Sequence, residues 1–397
     1  MKTVPLRRIA TVVNGGTPAA DSLNWGGEVA WATPVDLGRH DGRTIGATER
    51  TLTDRGLETG SSMVPEGSII LSTRAPIGYV CVNRVAMAFN QGCRGVIPRT
   101  DVSTDYLRYA LLHLRPRLQA AGTGSTFMEL STGSLASMPV PVVGDRGQQD
   151  AVVDFLDRET AKVDALIAKQ EELGRAVREH LHGVQDGLVS LSKGGVRFKY
   201  LVDEVDFRAG AEWERLPLLS VSIHWGVRRR DEVTDDLPRA EDLSNYKVVE
   251  SGDIVVNRMR AFQGALGRSP INGIVSPDYL VLRAAANVRS DWLAAAMRTP
   301  EFISEMAARV RGIGSAELGT VRTPRINADE LGEIRLAVPW LAEQEARYVT
   351  RQRSESQAVV LLERIGSLTD ALKERRAALI TAAVTGTLDV STYGKAG

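Results

Sequence analysis

Cysteine is nearly absent: Cys81 and Cys93 are the only two in 397 residues. The stretch from Met1 to Pro18 is broken by Arg7 and Arg8 and does not read as a signal peptide. Together these exclude a disulfide framework and a zinc site, and predict a reduced, cytoplasmic chain. No apolar run reaches the ~18 residues a membrane span needs. Net charge is also missing, with 49 basic residues against 49 acidic. A neutral total argues against a uniformly basic nucleic-acid binder. The acids, however, gather in two helical segments (Asp154, Asp157, Glu159, Glu171, Glu172 and Glu179 in the first), which leaves room for basic patches elsewhere. Only eight of the basic residues are Lys. Arg suits bidentate contacts to guanine and phosphate, although the codon usage of a GC-rich genome explains the excess equally well.

Signatures of catalysis are missing too. There is no Gly-x-x-x-x-Gly-Lys-Ser/Thr phosphate loop, no Asn/Asp-Pro-Pro-Tyr/Phe methyltransferase motif and no His/Cys cluster at metal-ligand spacing. The run Gly122-Thr123-Gly124-Ser125-Thr126-Phe127 lacks the third Gly of a dinucleotide fingerprint and a strand before it. The five histidines are scattered, and a lone one such as His224 is more often structural than catalytic.

What the chain does have is an internal repeat. Val64-Pro65-Glu66-Gly67-Ser68-Ile69-Ile70 recurs 185 residues later as Val249-Glu250-Ser251-Gly252-Asp253-Ile254-Val255. Arg74-Ala75-Pro76-Ile77-Gly78 returns as Arg260-Ala261-Phe262-Gln263-Gly264, and Gly122-Thr123-Gly124-Ser125 as Gly312-Ile313-Gly314-Ser315. Gln148-Gln149-Asp150 returns as Glu343-Gln344-Glu345. Such a period is far too long for a solenoid unit. It describes two copies of a globular module followed by a long helix.

The coarse reading gives four segments: a first module at 1–145, a long helix within 146–193, a second module at 194–340, and a second long helix with its tail at 341–397. In the modules, β-branched runs such as Ile69-Ile70-Leu71, Tyr79 to Val82 and Gly95 to Ile97 read as strands between Gly and Pro turns. Asp253 to Val256 and Tyr279 to Leu282 match them in the second copy. Asp105 to Leu114 reads as a helix, as do Trp292 to Met297 and Glu301 to Val310. The predicted class is α+β, with two similar mixed modules and a pseudo-two-fold internal repeat.

In the long helices, Val152, Leu156, Val163, Leu166, Leu173, Val177, Val184 and Leu188 recur at spacings of three and four or their sums, as do Ala358, Leu361, Ile365, Leu368, Leu372 and Leu379. A seam that narrow predicts an antiparallel coiled coil with these residues as its core. Asp145 with Gln148 offers a capping box, and Gly194-Gly195 and Gly386 are the expected stops. Gly174, in mid-helix, has no explanation in the sequence. About 35 helical residues at ~1.5 Å each give roughly 50 Å, or about 15 base pairs of duplex, a spacing suited to two separated half-sites.

The order of module, helix, module, helix resembles the specificity subunits of type I restriction–modification enzymes over essentially the whole chain. The motifs carry the resemblance: a Gly-Asp/Ser-Ile-Ile/Val strand followed by an Arg-x-x-x-Gly turn (Gly67 to Gly78; Gly252 to Gly264), and a Gly-Ser-Thr loop leading to Leu-Ala-Ser-Met-Pro-Val-Pro (Gly124 to Pro141). Pro339-Trp340-Leu341-Ala342-Glu343-Gln344 matches the family's helix entry, with Gln148-Gln149 in place of Glu-Gln in the first copy. Val384-Thr385-Gly386-Thr387-Leu388-Asp389-Val390 matches its ending.

The resemblance implies a non-catalytic subunit with two target-recognition domains. These would read a bipartite site in double-stranded DNA, while two methyltransferase subunits and a restriction/translocase subunit dock on the helices. S-adenosylmethionine, ATP and Mg would belong to those partners; this chain would hold no cofactor, metal or membrane. Ser72-Thr73-Arg74 falls opposite Asn257-Arg258-Met259-Arg260, and Asn90-Gln91-Gly92 opposite Ser276-Pro277-Asp278, so an asymmetric target is expected. Candidates for DNA contact are Arg74, Asn90, Gln91 and Arg94, then Arg228, Arg229, Arg258, Arg260 and Tyr279, because Arg and Asn/Gln forks match guanine and adenine edges. A solvated loop for Arg228-Arg229-Arg230 and a core position for Tyr279 are the plainer alternatives. Ser125 and Ser315 suit phosphate binding or a simple turn. A protein-binding scaffold built from the same repeats is the competing function.

Overall fold

The apolar residues spaced by three and four become two long helices. In the computed structural model, which describes residues 2–124, 128–235, 241–310 and 325–390, they span Arg146–Asp186 and Leu341–Val384. The first begins at a reciprocal capping box: the Gln148 N–H donates to Asp145 Oδ1 (2.9 Å) and the Asp145 N–H to Gln148 Oε1 (3.1 Å). The second stops as expected, with Gly386 left-handed at φ +70°. The first stops sooner than Gly194-Gly195. It ends at Asp186, where the Gly187 N–H closes on the Gly183 carbonyl (3.0 Å). The glycine pair lies in strand Leu191–Arg197, and Gly195 is required there because a Cβ would meet the Leu336 carbonyl oxygen at 2.5 Å.

The chain divides into two compact units, residues 1–171 with 366–397, and residues 172–365. Each contains a piece of both long helices, and within each the pieces run antiparallel. In the first unit Arg376 pairs with Asp164 (2.9 Å) while Val143 lies against Gly386. In the second, Arg347 donates to the Gly187 carbonyl (3.1 Å) and Ile365 lies beside Gly174. The seam is not buried throughout: Val152, Leu156, Val163, Ala358 and Leu372 are core, but Leu166 and Leu173 are 47% and 49% exposed, and Leu361 and Leu368 are similarly open. A single partner helix covers one side of a seam residue and leaves the other bare.

Each unit has a central sheet. In the first, β1 (Ala10–Asn14), β2 (Thr44–Ile45), β3 (Ile69–Ser72), β4 (Val80–Asn83) and β5 (Cys93–Pro98) lie in the order β1-β5-β3-β4-β2. In the second, β6 (Val202–Glu204), β7 (Ile254–Asn257), β8 (Leu266–Arg268) and β9 (Tyr279–Ala284) lie in the order β6-β9-β7-β8. The order and register repeat: Ile69 faces Val82 as Ile254 faces Arg268. Strand side chains alternate between faces. Ile69 and Leu71 therefore join the core with Leu107, Leu111, Val152 and Ile380, while Ile70 faces a second core with Phe89 and both cysteines. Burial pushes the Cys81 thiol up to about 12 and raises Cys93 as well. Among the described residues no helix is long and apolar enough to cross a membrane.

One contact explains the repeated Gln-Gln and Glu-Gln motifs. Gln149 is buried at the entry of the first long helix and accepts the Ser103 N–H (3.0 Å), which heads helix Thr104–His113. Gln344 is buried at the entry of the second and accepts the Arg289 N–H (2.7 Å), which heads helix Ser290–Ala296. Each glutamine satisfies a backbone donor that a helix start leaves unpaired. The aromatic residue three positions on does the same for a carbonyl. Tyr106 donates to Val384 O (2.8 Å), just at the end of one long helix, and Trp292 Nε1 to Leu188 O (3.1 Å), just past the end of the other.

Candidate nucleic-acid interface

In the first unit, strand β3 runs into the Arg74-to-Gly78 turn. The N–H groups of Thr73 and Arg74 reach the Gly92 carbonyl (2.8 and 3.3 Å). Asn90 Oδ1 accepts the Gly92 N–H (3.0 Å), so the two candidate loops are laced side by side. Gln91 is exposed, its Oε1 accepting from the Thr17 hydroxyl. Glu129 sits between two arginines, 3.1 Å from Arg74 Nε and 3.4 Å from Arg94 Nη2. The Arg74 side chain is 44% exposed and that of Arg94 only 10%. Arg94 also donates to Thr132 Oγ1 (2.9 Å) and to the Gln91 and Cys93 carbonyls (2.8 Å each). Its fork is spent inside the domain, whereas Arg74, Asn90 and Gln91 form one accessible polar edge.

The second unit is built alike. Asn257 faces Tyr279 across β7 and β9, and its Nδ2 lies 3.5 Å from the phenol oxygen. Burial raises the Tyr279 pKa, with the charges of Arg230 and Arg260 pulling the other way. The following Arg258 is half-buried; its Nε donates to Ile326 O (3.2 Å) and its Nη2 to Asn327 Oδ1. Like Arg94, it ties the loop to the domain. Arg260 is exposed, and its Nε donates to the Gln263 amide oxygen (3.1 Å). Arg228 and Arg229 stand exposed at the end of the hairpin Leu219–Ser222 and Gly226–Arg229, where Arg229 holds Asp231 through two bonds (3.0 and 2.6 Å). The structure thus gathers Arg258, Arg260 and Tyr279 on one loop edge and sets Arg228 and Arg229 on a separate hairpin. Ser125 and Ser315 lie outside the described residues.

Sequence reasoning missed Glu129, whose carboxylate orders both first-unit arginines, and the stack in which the exposed Arg50 guanidinium lies 3.6 Å over the Trp25 ring. Trp25 meets Trp31 edge-on at 4.9 Å. Strand pairing of Trp31 with Arg50 creates that stack, and no local spacing announces it. Among the described residues no group of three or more His, Cys, Asp or Glu could hold a metal ion.

This architecture has counterparts among solved structures. A chain from work on complex assembly and conformational transition of the type I R-M system superposes with a TM-score of 0.67, covering 98% of both chains at 14% identity. The HsdS subunit from Thermoanaerobacter tengcongensis superposes with a TM-score of 0.54, covering 98% of this chain and 97% of its own at 14% identity. At such identity the likeness is one of fold, and it extends over both units. Residues 1–174 match the family described as the type I restriction modification DNA specificity domain. The type I restriction enzyme MjaIX specificity subunit of Methanocaldococcus jannaschii is 34% identical over 158 residues, 38% of this chain. That match spans 37% of the curated relative's length. The first part of this chain is thus similar to a type I DNA specificity domain, and the resemblance read from its motifs is borne out.

Proposed function

We propose that this chain is the DNA-reading subunit of a type I restriction–modification complex, each unit recognising one half of an asymmetric bipartite site in double-stranded DNA. The observation that carries this is the specificity-domain match over residues 1–174, whose strand order and helix-entry glutamine recur in the second unit. Arg74, Asn90 and Gln91 then read one half-site, and Arg228, Arg229, Arg260 and Tyr279 the other. Arg and Gln offer paired donors and acceptors to guanine and adenine edges in the major groove. Arg94 and Arg258 act beneath these by fixing the loops, since a reading side chain discriminates only if its backbone is held. Two methyltransferase subunits dock on the long helices, whose half-exposed leucines leave apolar surface uncovered, and a restriction/translocase subunit joins them. S-adenosylmethionine, ATP and Mg serve those partners, and the complex works in the cytoplasm.

The test is a methylome. The chain is expressed with its neighbouring methyltransferase gene, and N6-methyladenine is mapped with and without it. A bipartite asymmetric motif that depends on this chain is the expected result. No new methylation, with the methyltransferase shown folded and bound, refutes the reading, and a palindromic motif refutes the asymmetry.

A further inference from the structure

The repeat can be used to compare equivalent places in the two units. Ser103 corresponds to Arg289, and Gln149 to Gln344, through their shared hydrogen bond. Counting onward, Arg108 and Tyr109 correspond to Ala294 and Ala295, and Leu112 to Arg298. On the long helices, Leu156, Asp157 and Thr160 correspond to Arg351, Gln352 and Glu355. Sheet register makes Val82 the counterpart of Arg268.

In the first unit this place is filled. Tyr109 donates to Asp157 (2.5 Å) and lies 3.3 Å from the Thr160 hydroxyl. Arg108 stacks on the Tyr109 ring at 4.1 Å and also reaches Asp157 (3.2 Å). In the second unit the two large side chains are alanines, and a cavity of about 310 Å³ opens there, walled on one side by Trp225. Three apolar residues have meanwhile become arginines, Arg268, Arg298 and Arg351, all lining the cavity.

Their charge is not balanced. Arg351 pairs with Glu355 (2.8 Å), and the other lining carboxylate, Asp291, is held by Arg289 (2.7 Å). Among the described residues no carboxylate lies within ion-pair distance of Arg298 or Arg268. Arg298 donates to the Ile223 carbonyl, and Arg268 Nε to the Ser290 hydroxyl (3.1 Å). Burial lowers the Arg298 pKa, the neighbouring Arg351 lowers it further, and Glu355 offsets part of this. Three arginines against two carboxylates leave the lining net positive, and neither Arg298 nor Arg268 has an ion-pair partner among the described residues; this suits an anion, and a phosphate monoester carries about −1.5 to −2. Guanidinium forks match phosphate oxygens, and the volume lies at the small end of ligand pockets, roughly 300–1,000 Å³.

We propose that this cavity binds a phosphate-bearing small molecule of mononucleotide size, with Arg298, Arg351 and Arg268 around the phosphate and the Trp225 indole flanking the ring. The site adjoins the hairpin that carries Arg228, which lies 5.9 Å over the Trp225 ring, but the argument for it rests on the cavity and its charges and not on how the chain reads DNA.

The test uses the full chain, with AMP, adenosine and inorganic phosphate as probes and tryptophan fluorescence and thermal unfolding as readouts. AMP is expected to bind saturably, to raise the Tm, and to bind more tightly than either adenosine or inorganic phosphate. Arg298→Gln should weaken AMP at least about tenfold. Ala295→Tyr, which refills the place as the first unit does, should do the same. Arg298→Gln keeps the test valid if the refilled variant misfolds. Absence of AMP binding to the folded chain overturns the proposal, as does affinity unchanged in Arg298→Gln. Phosphate binding as tightly as AMP overturns the ring contact, and displacement of AMP by a short DNA duplex overturns the small-molecule assignment.

Discussion

Replacing Gln344 with Ala should loosen the second unit at one identifiable amide. Gln344 is fully buried; its Oε1 accepts the Arg289 N–H (2.7 Å), and its Nε2 donates to Pro339 O (2.7 Å) and Asn287 O (3.2 Å). A buried polar group stripped of its partner costs about 1–3 kcal/mol. With one donor and two acceptors stranded and a small void left, the loss should be about 2–4 kcal/mol. Gln149 is the control. It accepts the Ser103 N–H at 3.0 Å, but its second bond, to Val143 O, is long at 3.4 Å. Gln149→Ala should therefore cost about 1–2 kcal/mol, in the first unit only. A chain of two units need not unfold in one step, so the suitable assay is hydrogen exchange resolved to the Arg289 and Ser103 amides. Each ~1.4 kcal/mol should speed exchange about tenfold. Gln344→Glu sharpens the test. The ionised carboxylate would face two carbonyl oxygens, so its folded pKa is raised. The defect should be full above that pKa and shrink as pH falls towards the unfolded value. Arg289 protection unchanged in Gln344→Ala would refute the reasoning.

Gln91→Ala should alter the methylated motif in one half-site and leave the other intact, whereas Arg260→Ala should do the reverse; methylome sequencing of each variant decides it, and a change in both halves counts against separate reading. Gly174→Ala should stabilise by about 1 kcal/mol through helix propensity: a Cβ there would lie 3.8 Å from Ile365 Cγ2, ordinary contact, and denaturant unfolding that shows a loss would mean the helices pack closer than this. Burial alone would raise the Asp291 pKa, but Arg289 and the Trp292 N–H more than offset it, and the net shift is downward. A depressed folded pKa gives stability that is full above the unfolded pKa and lost as pH falls through the folded one. Asp291→Asn should accordingly flatten the acid limb of second-unit stability, measured by urea unfolding across the carboxylate range.

Period and motif order made the long helices, the α+β modules and their repetition legible before any coordinates. Residues with two competing uses were harder. Gly194-Gly195 has the composition of a helix stop, yet it serves a strand whose neighbour, Leu336, is remote in sequence. Arg94 and Arg258 have the chemistry of base readers, but their partners lie far along the chain, Glu129 35 residues on and Asn327 69 residues on. Composition cannot tell a fork aimed outward from one folded back, because that depends on which distant loop passes within reach. The seam leucines failed for a different reason. Heptad spacing says which face a residue occupies, and a lone partner helix leaves Leu166 and Leu368 open all the same.

The two copies also show which positions the architecture constrains. Where a side chain closes a backbone group at a helix end, the chemistry is kept even when the residue changes: Gln149 and Gln344 both accept an N–H, and Tyr106 and Trp292 both donate to a carbonyl. A tyrosine hydroxyl and an indole N–H are interchangeable there because either can reach an orphaned carbonyl from an apolar ring. Where the bonds run mainly between side chains, the backbone dictates less of the choice, although Arg108 also donates to the Gly42 carbonyl (2.6 Å). Arg108, Tyr109 and Asp157 can then give way to Ala294, Ala295 and Gln352, and one copy gains a cavity while the fold is retained. The same freedom holds at the loop edges, where Gln91 faces solvent and Pro277 stands in its place. Divergence in a duplicated chain is therefore expected first where no backbone group at a helix end has to be closed.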